Sequence, residues 1–142
     1  MGTVVSIHRV SERDAPAVAL ETARFIADLG LEGDWRHGRQ ITLIEAEALD
    51  AVAAQLGLPR VPPGASRRQV VVRGLSLNAM VGRRLRVGEL LVDVYDRCDP
   101  CQNMESKVGA GAMRAMKDRG GVCGRIIEGG VLRPGDPVTV VG

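Results

Sequence analysis

Short apolar segments separated by glycine- and proline-rich turns recur along this sequence and leave few folds open to it. Several segments alternate apolar and polar residues, as strands with one buried face do, whereas Val70 to Val72 form an apolar run typical of burial on both faces. Strands are predicted over residues 4–10, 40–44, 67–74, 84–87, 90–95, 120–130 and 137–141. This pattern predicts a mainly β, barrel-like domain with a few short helices.

Helical patterns are few and mostly short. Apolar residues at helical spacing predict a helix over residues 45–56, capped by Gly57. Residues 104–117 contain two shorter helical pieces separated by a Gly-Ala-Gly break, the second over residues 112–118. Residues 18–29 are compatible either with a helix or with one or two short strands. The remaining segments are predicted as a loop at residues 30–39, a connector at 58–64 and a turn at 131–136.

Composition narrows the classes of partner. A chain of 142 residues is expected to form one domain over residues 1–142. Aromatic residues make up only 2%, too few for the stacking platforms that bind single-stranded nucleic acid, and a net charge of +2 is small for a duplex-binding protein. No apolar run is long enough to span a membrane. We therefore predict neither nucleic acid nor a membrane as a partner.

The cysteine content indicates the compartment. The chain has three cysteines, an odd number, and its first predicted strand begins without a preceding secretory signal. Disulfides persist in oxidising compartments and are rare in the cytosol. We therefore expect free thiols and a cytoplasmic protein.

Two of these cysteines, Cys98 and Cys101, lie in a polar turn after the predicted strand at residues 90–95. Two thiols three positions apart can ligate one metal, form a redox pair, or act as ligand and neighbour. Arg97 beside them is expected to favour the thiolate form. Cys123 lies in a predicted apolar strand and is expected to be a small buried hydrophobic residue.

Two common kinds of cysteine site fit the sequence less well. A structural zinc site would need all three cysteines and one histidine to converge, and the second closely spaced pair typical of such sites is missing. A thioredoxin-like pair belongs at a helix start in a βαβ unit, which the predicted order of elements lacks. A small zinc-stabilised β-domain is kept as an alternative.

Charged residues are concentrated in two further segments. The loop at residues 30–39 carries Asp34, His37 and Arg39 among three glycines, and its charges either hold an anionic ligand or pair with one another. The second segment is Arg67-Arg68, followed by Gln69, at the start of a predicted strand. Guanidinium groups suit bidentate binding of phosphate or carboxylate.

Six short motifs follow one another in a recognisable order over nearly the whole chain. They are Gly30-Leu31-Glu32-Gly33-Asp34 with His37-Gly38-Arg39, Arg67-Arg68-Gln69-Val70-Val71-Val72, Gly82 with Arg86-Val87-Gly88, Pro100-Cys101, Gly120-Gly121, and Gly129-Gly130 with Pro134-Gly135-Asp136. Together they resemble the MOSC domain family, named for the C-terminal domain of molybdenum cofactor sulfurases. The chain is similar to short, stand-alone bacterial-type members of that family.

The resemblance implies a β-barrel that binds the molybdenum cofactor, or molybdopterin, a pterin dithiolene with a phosphate. Cys101 matches the Pro-Cys position that ligates molybdenum or carries sulfur in relatives, so the resemblance makes it the catalytic and metal-binding residue. A soft thiolate suits both roles. Cys98 matches a cysteine found in only some relatives and is implied to support Cys101.

The other implied cofactor-binding residues come from the two charged segments. They are Asp34, His37, Arg39, Arg67, Arg68 and Gln69. Gln69 stands where relatives commonly have asparagine, so the amide is kept and its reach is changed. No lysine lies in a context that supports pyridoxal phosphate binding.

Two activities are implied by the resemblance, and they leave open whether the protein is itself an enzyme. One is sulfur transfer to the cofactor, and the other is molybdenum-dependent reduction of N-hydroxylated compounds. The implied protein partners are a desulfurase, a redox partner or a molybdoenzyme. A non-catalytic cofactor carrier or interaction module is the alternative.

Overall fold

The computed structural model describes residues 1–35, 39–98 and 108–141. Within these ranges the helices are α1 (Ala46–Leu56) and α2 (Ala112–Ala115), and two 3-10 turns cover Pro63–Ser66 and Asn78–Met80. The strands are β1 (Gly2–Arg9), β2 (Val18–Ala19), β3 (Ala23–Ile26), β4 (Gly30–Leu31), β5 (Ile41–Glu45), β6 (Val70–Arg73), β7 (Arg84–Val87), β8 (Leu90–Arg97), β9 (Val122–Glu128), β10 (Gly130–Leu132) and β11 (Pro137–Val141). The predicted mainly β class is confirmed.

Seven of the strands close into a barrel. Around it the hydrogen-bonded order is β1, β11, β7, β8, β9, β5, β6 and back to β1. Neighbouring strands are antiparallel except for β5 and β6, which are parallel and are connected through α1. A parallel pair needs such a crossover, because a tight hairpin can only reverse the chain. The barrel predicted from the short strands is therefore confirmed.

Apolar side chains form two clusters, one inside the barrel and one between the barrel wall and α1. Val70 and Val72 of β6 belong to the inner cluster, whereas Val71 between them packs in the outer one. All three are at most 1% exposed, so the uninterrupted valine run is explained by burial on both faces. The residues that α1 buries are Ala46, Ala48, Leu49, Val52 and Ala53.

The boundaries of α1 agree with the sequence to within one residue. Glu45 ends β5, and the helix starts at Ala46. At the other end Gly57 adopts a φ of 70°, a left-handed conformation that glycine tolerates best, and its N–H donates to the carbonyl oxygens of Ala53 and Ala54. Within the described ranges, no helix has the length and apolar character needed to cross a bilayer.

Several predictions from local sequence are wrong in and near the small sheet outside the barrel. Residues 18–29, all described, hold β2 and β3 and no helix, so the helical alternative is wrong. The loop predicted at residues 30–39 begins with β4, and the turn predicted at 131–136 contains part of β10. Of these strands, β10, β3 and β4 form the small sheet by pairing with one another, whereas β2 pairs with β1. Strands this short are stabilised by their partners, which local patterns do not reveal.

Candidate functional site

The structure separates the residues predicted for the site. Cys101 and His37 lie outside the described residues. Of the other six, three meet around a thiol, two share a hydrogen-bond network, and one binds the backbone of a loop. Arg39 and Arg68 meet around the thiol of Cys98. Asp34 and Gln69 share the hydrogen-bond network, and Arg67 binds the loop backbone.

Cys98 follows directly after the last residue of β8 and is only 3% exposed. Its N–H donates to the carbonyl oxygen of Gly121 at 2.8 Å. This bond extends the pairing of β8 with the segment that leads into β9. The backbone of Cys98 is therefore fixed by the barrel wall, and its thiol is buried.

Two guanidinium groups act on this thiol. Arg39 is exposed, and its Nη1 atom lies 3.8 Å from Cys98 Sγ. Arg68 is 5% exposed and donates from Nε to the carbonyl oxygen of Gly120 at 2.7 Å, and its charge also acts on Cys98. An exposed and a buried cation, contributed by different segments of the chain, thus surround Cys98.

Burial decides the protonation state of Cys98. Loss of solvent raises the pKa of its thiol from 9.0 to about 11, while the positive charges of Arg68 and Arg39 work in the opposite direction. The desolvation of a buried thiolate outweighs both cations. Cys98 is therefore a neutral thiol at pH 7.

A double glycine holds the buried cation and the thiol against the barrel. The Gly120 carbonyl accepts from Arg68, and the Gly121 carbonyl accepts from Cys98. Gly121 has a φ of 88°, and a Cβ atom there would overlap the carbonyl oxygen of Leu43 in β5. Glycine alone permits this approach of two backbones. The Gly120-Gly121 motif therefore has a direct role in building the site.

Cys123 is a site residue that the sequence analysis missed. It is buried as predicted, at 3% exposed, but its thiol neighbours that of Cys98. The interaction between the two thiols contributes to the raised pKa of Cys98, and Cys123 donates to the Asp96 carbonyl oxygen at 3.7 Å. The two cysteines meet through the register of β8 and β9, which no local pattern shows. We call Arg39, Arg68, Cys98 and Cys123 the thiol cluster.

A small open pocket reaches the thiol cluster from the surface. Arg97 and Asp118 face each other in its wall, with Nη1 3.5 Å from Oδ1. The expectation that Arg97 would favour a thiolate is wrong for Cys98, because Arg97 is turned toward Asp118 and burial raises the pKa of the thiol. The pocket is lined by Asn78, Arg97, Cys98, Asp118, Gly120 and Gly121.

A second group of predicted residues forms a hydrogen-bond network that connects three parts of the chain. Asp34 Oδ1 accepts the Val10 N–H at 2.8 Å, and its Oδ2 accepts from Gln69 Nε2 at 2.9 Å. Gln69 Oε1 accepts the Thr42 N–H, and the Gln69 N–H donates to Thr42 Oγ1, each at 2.9 Å. We call Asp34, Thr42 and Gln69 the amide clamp. Its donors and acceptors are satisfied within the protein.

Arg67 binds the loop that follows β1. Its Nη1 and Nη2 donate to the carbonyl oxygens of Ala15 at 2.7 Å and Arg13 at 2.6 Å. Its φ of 65° ends the 3-10 turn at Pro63–Ser66, which explains why β6 starts at Val70 instead of at residue 67 as predicted. In this structure the Arg67 side chain orders a loop.

The zinc alternative is not decided by these residues. In the part of the chain that the structure describes, no group of three or more His, Cys, Asp or Glu side chains could hold a metal ion. The ligand set considered from the sequence includes Cys101, which lies outside that part. His8, the described histidine, has Nε2 2.8 Å from Ser6 Oγ, and burial lowers its pKa. A structural zinc site stays a prediction.

Solved structures share this fold. The YuaD protein from Bacillus subtilis superposes with a TM-score of 0.81 at 17% identity, covering 97% of this chain and 94% of that one. YiiM from Geobacillus stearothermophilus gives 0.80 at 18% identity, covering 100% and 76%, and YiiM from Escherichia coli gives 0.74 at 19%, covering 99% and 70%. At these identities the likeness establishes the fold alone.

The sequence itself supplies the family. A comparison with curated proteins found no significant match. The family model described as the MOSC domain matches residues 29–139, which is most of the chain and includes every predicted site residue. With the closed barrel and the structural neighbours in agreement, the chain belongs to the MOSC domain family.

Proposed function

We propose that this protein binds the molybdenum cofactor and acts in sulfur transfer to it, with Cys101 ligating molybdenum or carrying sulfur. The observation that best supports this is the presence of Arg39 and Arg68 beside Cys98. Cys101 follows Cys98 by three residues, so at most about 11 Å of chain separates their Cα atoms. This chain length allows the proposed ligand to act beside both cations.

The thiol cluster suits the cofactor in charge and in donor chemistry. Guanidinium groups bind phosphate through paired, charge-assisted hydrogen bonds, and thiolates are soft ligands suited to a metal–sulfur centre. Arg39, which is exposed, would bind the phosphate or the pterin edge of the cofactor. Arg68 would add positive charge from the buried side of the site. The bound cofactor would supply the molybdenum centre on which sulfur is placed.

Cys98 has a different role from Cys101 in this proposal. Because burial raises its pKa to about 11, Cys98 is protonated at neutral pH in the metal-free protein. We infer that it supports the site as a neutral neighbour and hydrogen-bond donor. The ligand role stays proposed for Cys101, the position that the family resemblance indicates.

The amide clamp acts on the site indirectly. Asp34 is bonded to both Val10 and Gln69, so it fixes the start of the segment that leads to His37 and Arg39. We infer that Asp34 and Gln69 position this segment and that His37 and Arg39 contact the cofactor. Arg67 contributes by ordering the loop that contains Arg13 and Ala15.

Sulfur transfer is favoured over reduction by the number of thiols in this part of the barrel. Cys98 and Cys123 are in contact, and Cys101 is three residues from Cys98. A single cysteine is enough to ligate a metal, whereas sulfur transfer uses thiols as acceptors and donors. A desulfurase would be the natural sulfur donor, and a reducing cytoplasm would keep these thiols reduced.

Cofactor analysis tests the proposal. The chain is expressed in a host that makes the cofactor, and bound molybdenum and pterin are measured in purified wild type and in Cys101→Ala. We expect both in wild type and a large loss of molybdenum in the variant. A wild type without pterin, or a variant with unchanged molybdenum, would contradict the proposal.

A second assay separates the two activities. Protein loaded with ³⁵S-persulfide from a desulfurase is mixed with a cofactor-dependent apoenzyme, and transfer of label is compared with turnover of an N-hydroxylated base in the presence of an electron donor. We expect label transfer that requires Cys101, without turnover. Turnover without transfer would establish the reductase instead, and exchange of intact cofactor alone would establish a carrier.

A further inference from the structure

Cys98 and Cys123 form a thiol pair, and a covalent bond between them is no part of the proposed function. They come from adjacent antiparallel strands whose register pairs Asp96 with Cys123, and the Cys98 N–H bonds the Gly121 carbonyl. Cys98 and Cys123 are therefore diagonal neighbours on the same face. Each is 3% exposed, and their side chains are hydrogen-bonded to each other.

The two thiols differ in their access to solvent. Cys98 lines the open pocket, whereas Cys123 is absent from its lining and donates to the Asp96 carbonyl. A small oxidant would therefore reach Cys98 first. Cys123 would meet the oxidised sulfur from the protein side. The thiol at the pocket would then be oxidised first, and the enclosed thiol would resolve it. The raised pKa of Cys98 keeps its thiolate fraction small at pH 7, so this oxidation is slow at neutral pH and becomes faster as the pH rises.

We propose that Cys98 and Cys123 are a reversible dithiol–disulfide pair, oxidised by a hydroperoxide that enters through the pocket. The thiolate of Cys98, formed when the thiol loses its proton, attacks the peroxide: an S–O bond forms and the O–O bond breaks. Cys98 becomes a sulfenic acid, and the departing hydroxide takes up that proton and leaves as water. Cys123 sulfur then attacks that sulfur, forming the S–S bond and releasing water. In total, two thiols and one hydrogen peroxide give one disulfide and two water molecules.

The position of the pair favours an easily reduced bond over a permanent staple. Diagonal neighbours across antiparallel strands have Cα atoms about 7–8 Å apart, whereas disulfides usually span up to about 6.8 Å. Closing the bond would draw the ends of β8 and β9 together. A β-bulge between Val94 and Asp96 gives this end of β8 an irregular pairing that can absorb such a shift. Strained disulfides are the more readily reduced ones.

Peptide mapping of the folded protein tests this pair. Reduced wild type is treated with hydrogen peroxide, its remaining thiols are alkylated, and the digest is analysed by mass spectrometry before and after dithiothreitol. We expect a linked peptide pair joining Cys98 to Cys123, lighter by two hydrogen atoms, which dithiothreitol separates. Cys101 should remain open to alkylation.

Two variants, and a comparison of folded with urea-unfolded protein, test whether Cys98 and Cys123 form the disulfide in the native state. Cys101→Ser should still form the bridge, whereas Cys123→Ala should leave Cys98 as a sulfenic acid that dimedone labels. A bridge between Cys98 and Cys101 would overturn the proposal. So would a wild type that forms the Cys98–Cys123 bridge only after unfolding in urea. Because the readout is a covalent bond in the apoprotein, its failure is independent of cofactor binding.

Discussion

The thiol cluster and the amide clamp are built from residues that the sequence analysis placed in one site, yet their chemistry differs. In the clamp, Asp34, Thr42 and Gln69 satisfy one another and nearby backbone groups. In the cluster, a buried cation and an exposed cation surround a thiol at the edge of a pocket. The clamp therefore stabilises the fold, and the cluster brings two cations and two thiols together.

Arg68 and Gln69 show how sharply the two regions are divided. They are consecutive in sequence, but Arg68 bonds the Gly120 carbonyl whereas Gln69 bonds Thr42 and Asp34. One substitution at each position should therefore have different consequences. Loss of the clamp should lower stability, and loss of a cluster residue should change thiol chemistry.

Gly121→Ala is expected to lower the free energy of unfolding most, because Gly121 lies against the backbone of β5 next to the thiol cluster. A Cβ atom would overlap the Leu43 carbonyl oxygen, and φ is 88°. We expect a loss of about 4 kcal/mol in the free energy of unfolding, from a left-handed residue at about 1–2 kcal/mol and overpacking at about 1–3 kcal/mol. Urea denaturation measures it.

Gly82→Ala is the matched control for this substitution. Gly82 has a φ of 85° and no atom within 4 Å of an added Cβ. We expect only the conformational cost of about 1–2 kcal/mol. Equal losses in the two variants would show that Gly121 does not support the cluster through close backbone contact.

The next effect is expected in the amide clamp, from Gln69→Ala. The substitution leaves the buried Thr42 N–H without its acceptor and removes a donor from Asp34. An unsatisfied buried donor and a lost bond to a charged group together cost about 2–4 kcal/mol. Urea denaturation should show this loss, while the alkylation rate of Cys98 in native protein changes little. A large change in that rate would show that the amide clamp and the thiol cluster are not independent.

The pH dependence of Cys98 alkylation is the third prediction. The thiolate is the reacting form, and burial raises its pKa to about 11. The rate with iodoacetamide should therefore rise about tenfold per pH unit from pH 7 to 10 and level off near 11. Peptide-resolved mass spectrometry follows Cys98 separately from the other cysteines. A plateau near pH 8 or 9 would contradict burial of the thiol.

The smallest effect is expected from Arg39→Gln. Arg39 lowers the pKa of Cys98 but is exposed, so solvent screens its charge. Removing it should slow Cys98 alkylation at pH 8 by about two- to threefold, the size of a weak surface interaction of ~0.5 kcal/mol. Arg73→Gln, at an exposed arginine paired with Asp50, should leave the rate unchanged. High salt should reduce the difference between wild type and Arg39→Gln.

Much of the barrel could be predicted because its strands carry their own pattern. Alternation, the buried valine run of β6 and the glycine after α1 each act locally. The contact of Cys98 with Cys123 and the division between Arg68 and Gln69 depend on strand register and on turns far away in sequence. The pKa of Cys98 depends on burial, which the polar turn around it concealed. The order of the motifs predicted the family and the candidate site residues. The structure divides the described ones among the thiol cluster, the amide clamp and the loop contact of Arg67.

Cofactor content in paired variants tests the central claim most directly. Wild type, Arg68→Gln, Gln69→Asn and the control Arg73→Gln are purified from a cofactor-producing host, and bound pterin and molybdenum are measured per folded chain. We predict that Arg68→Gln loses most of the cofactor while Gln69→Asn, which keeps the amide, and Arg73→Gln retain it. Full retention in Arg68→Gln, or equal losses in all three variants, would contradict the assignment of cofactor binding to the thiol cluster.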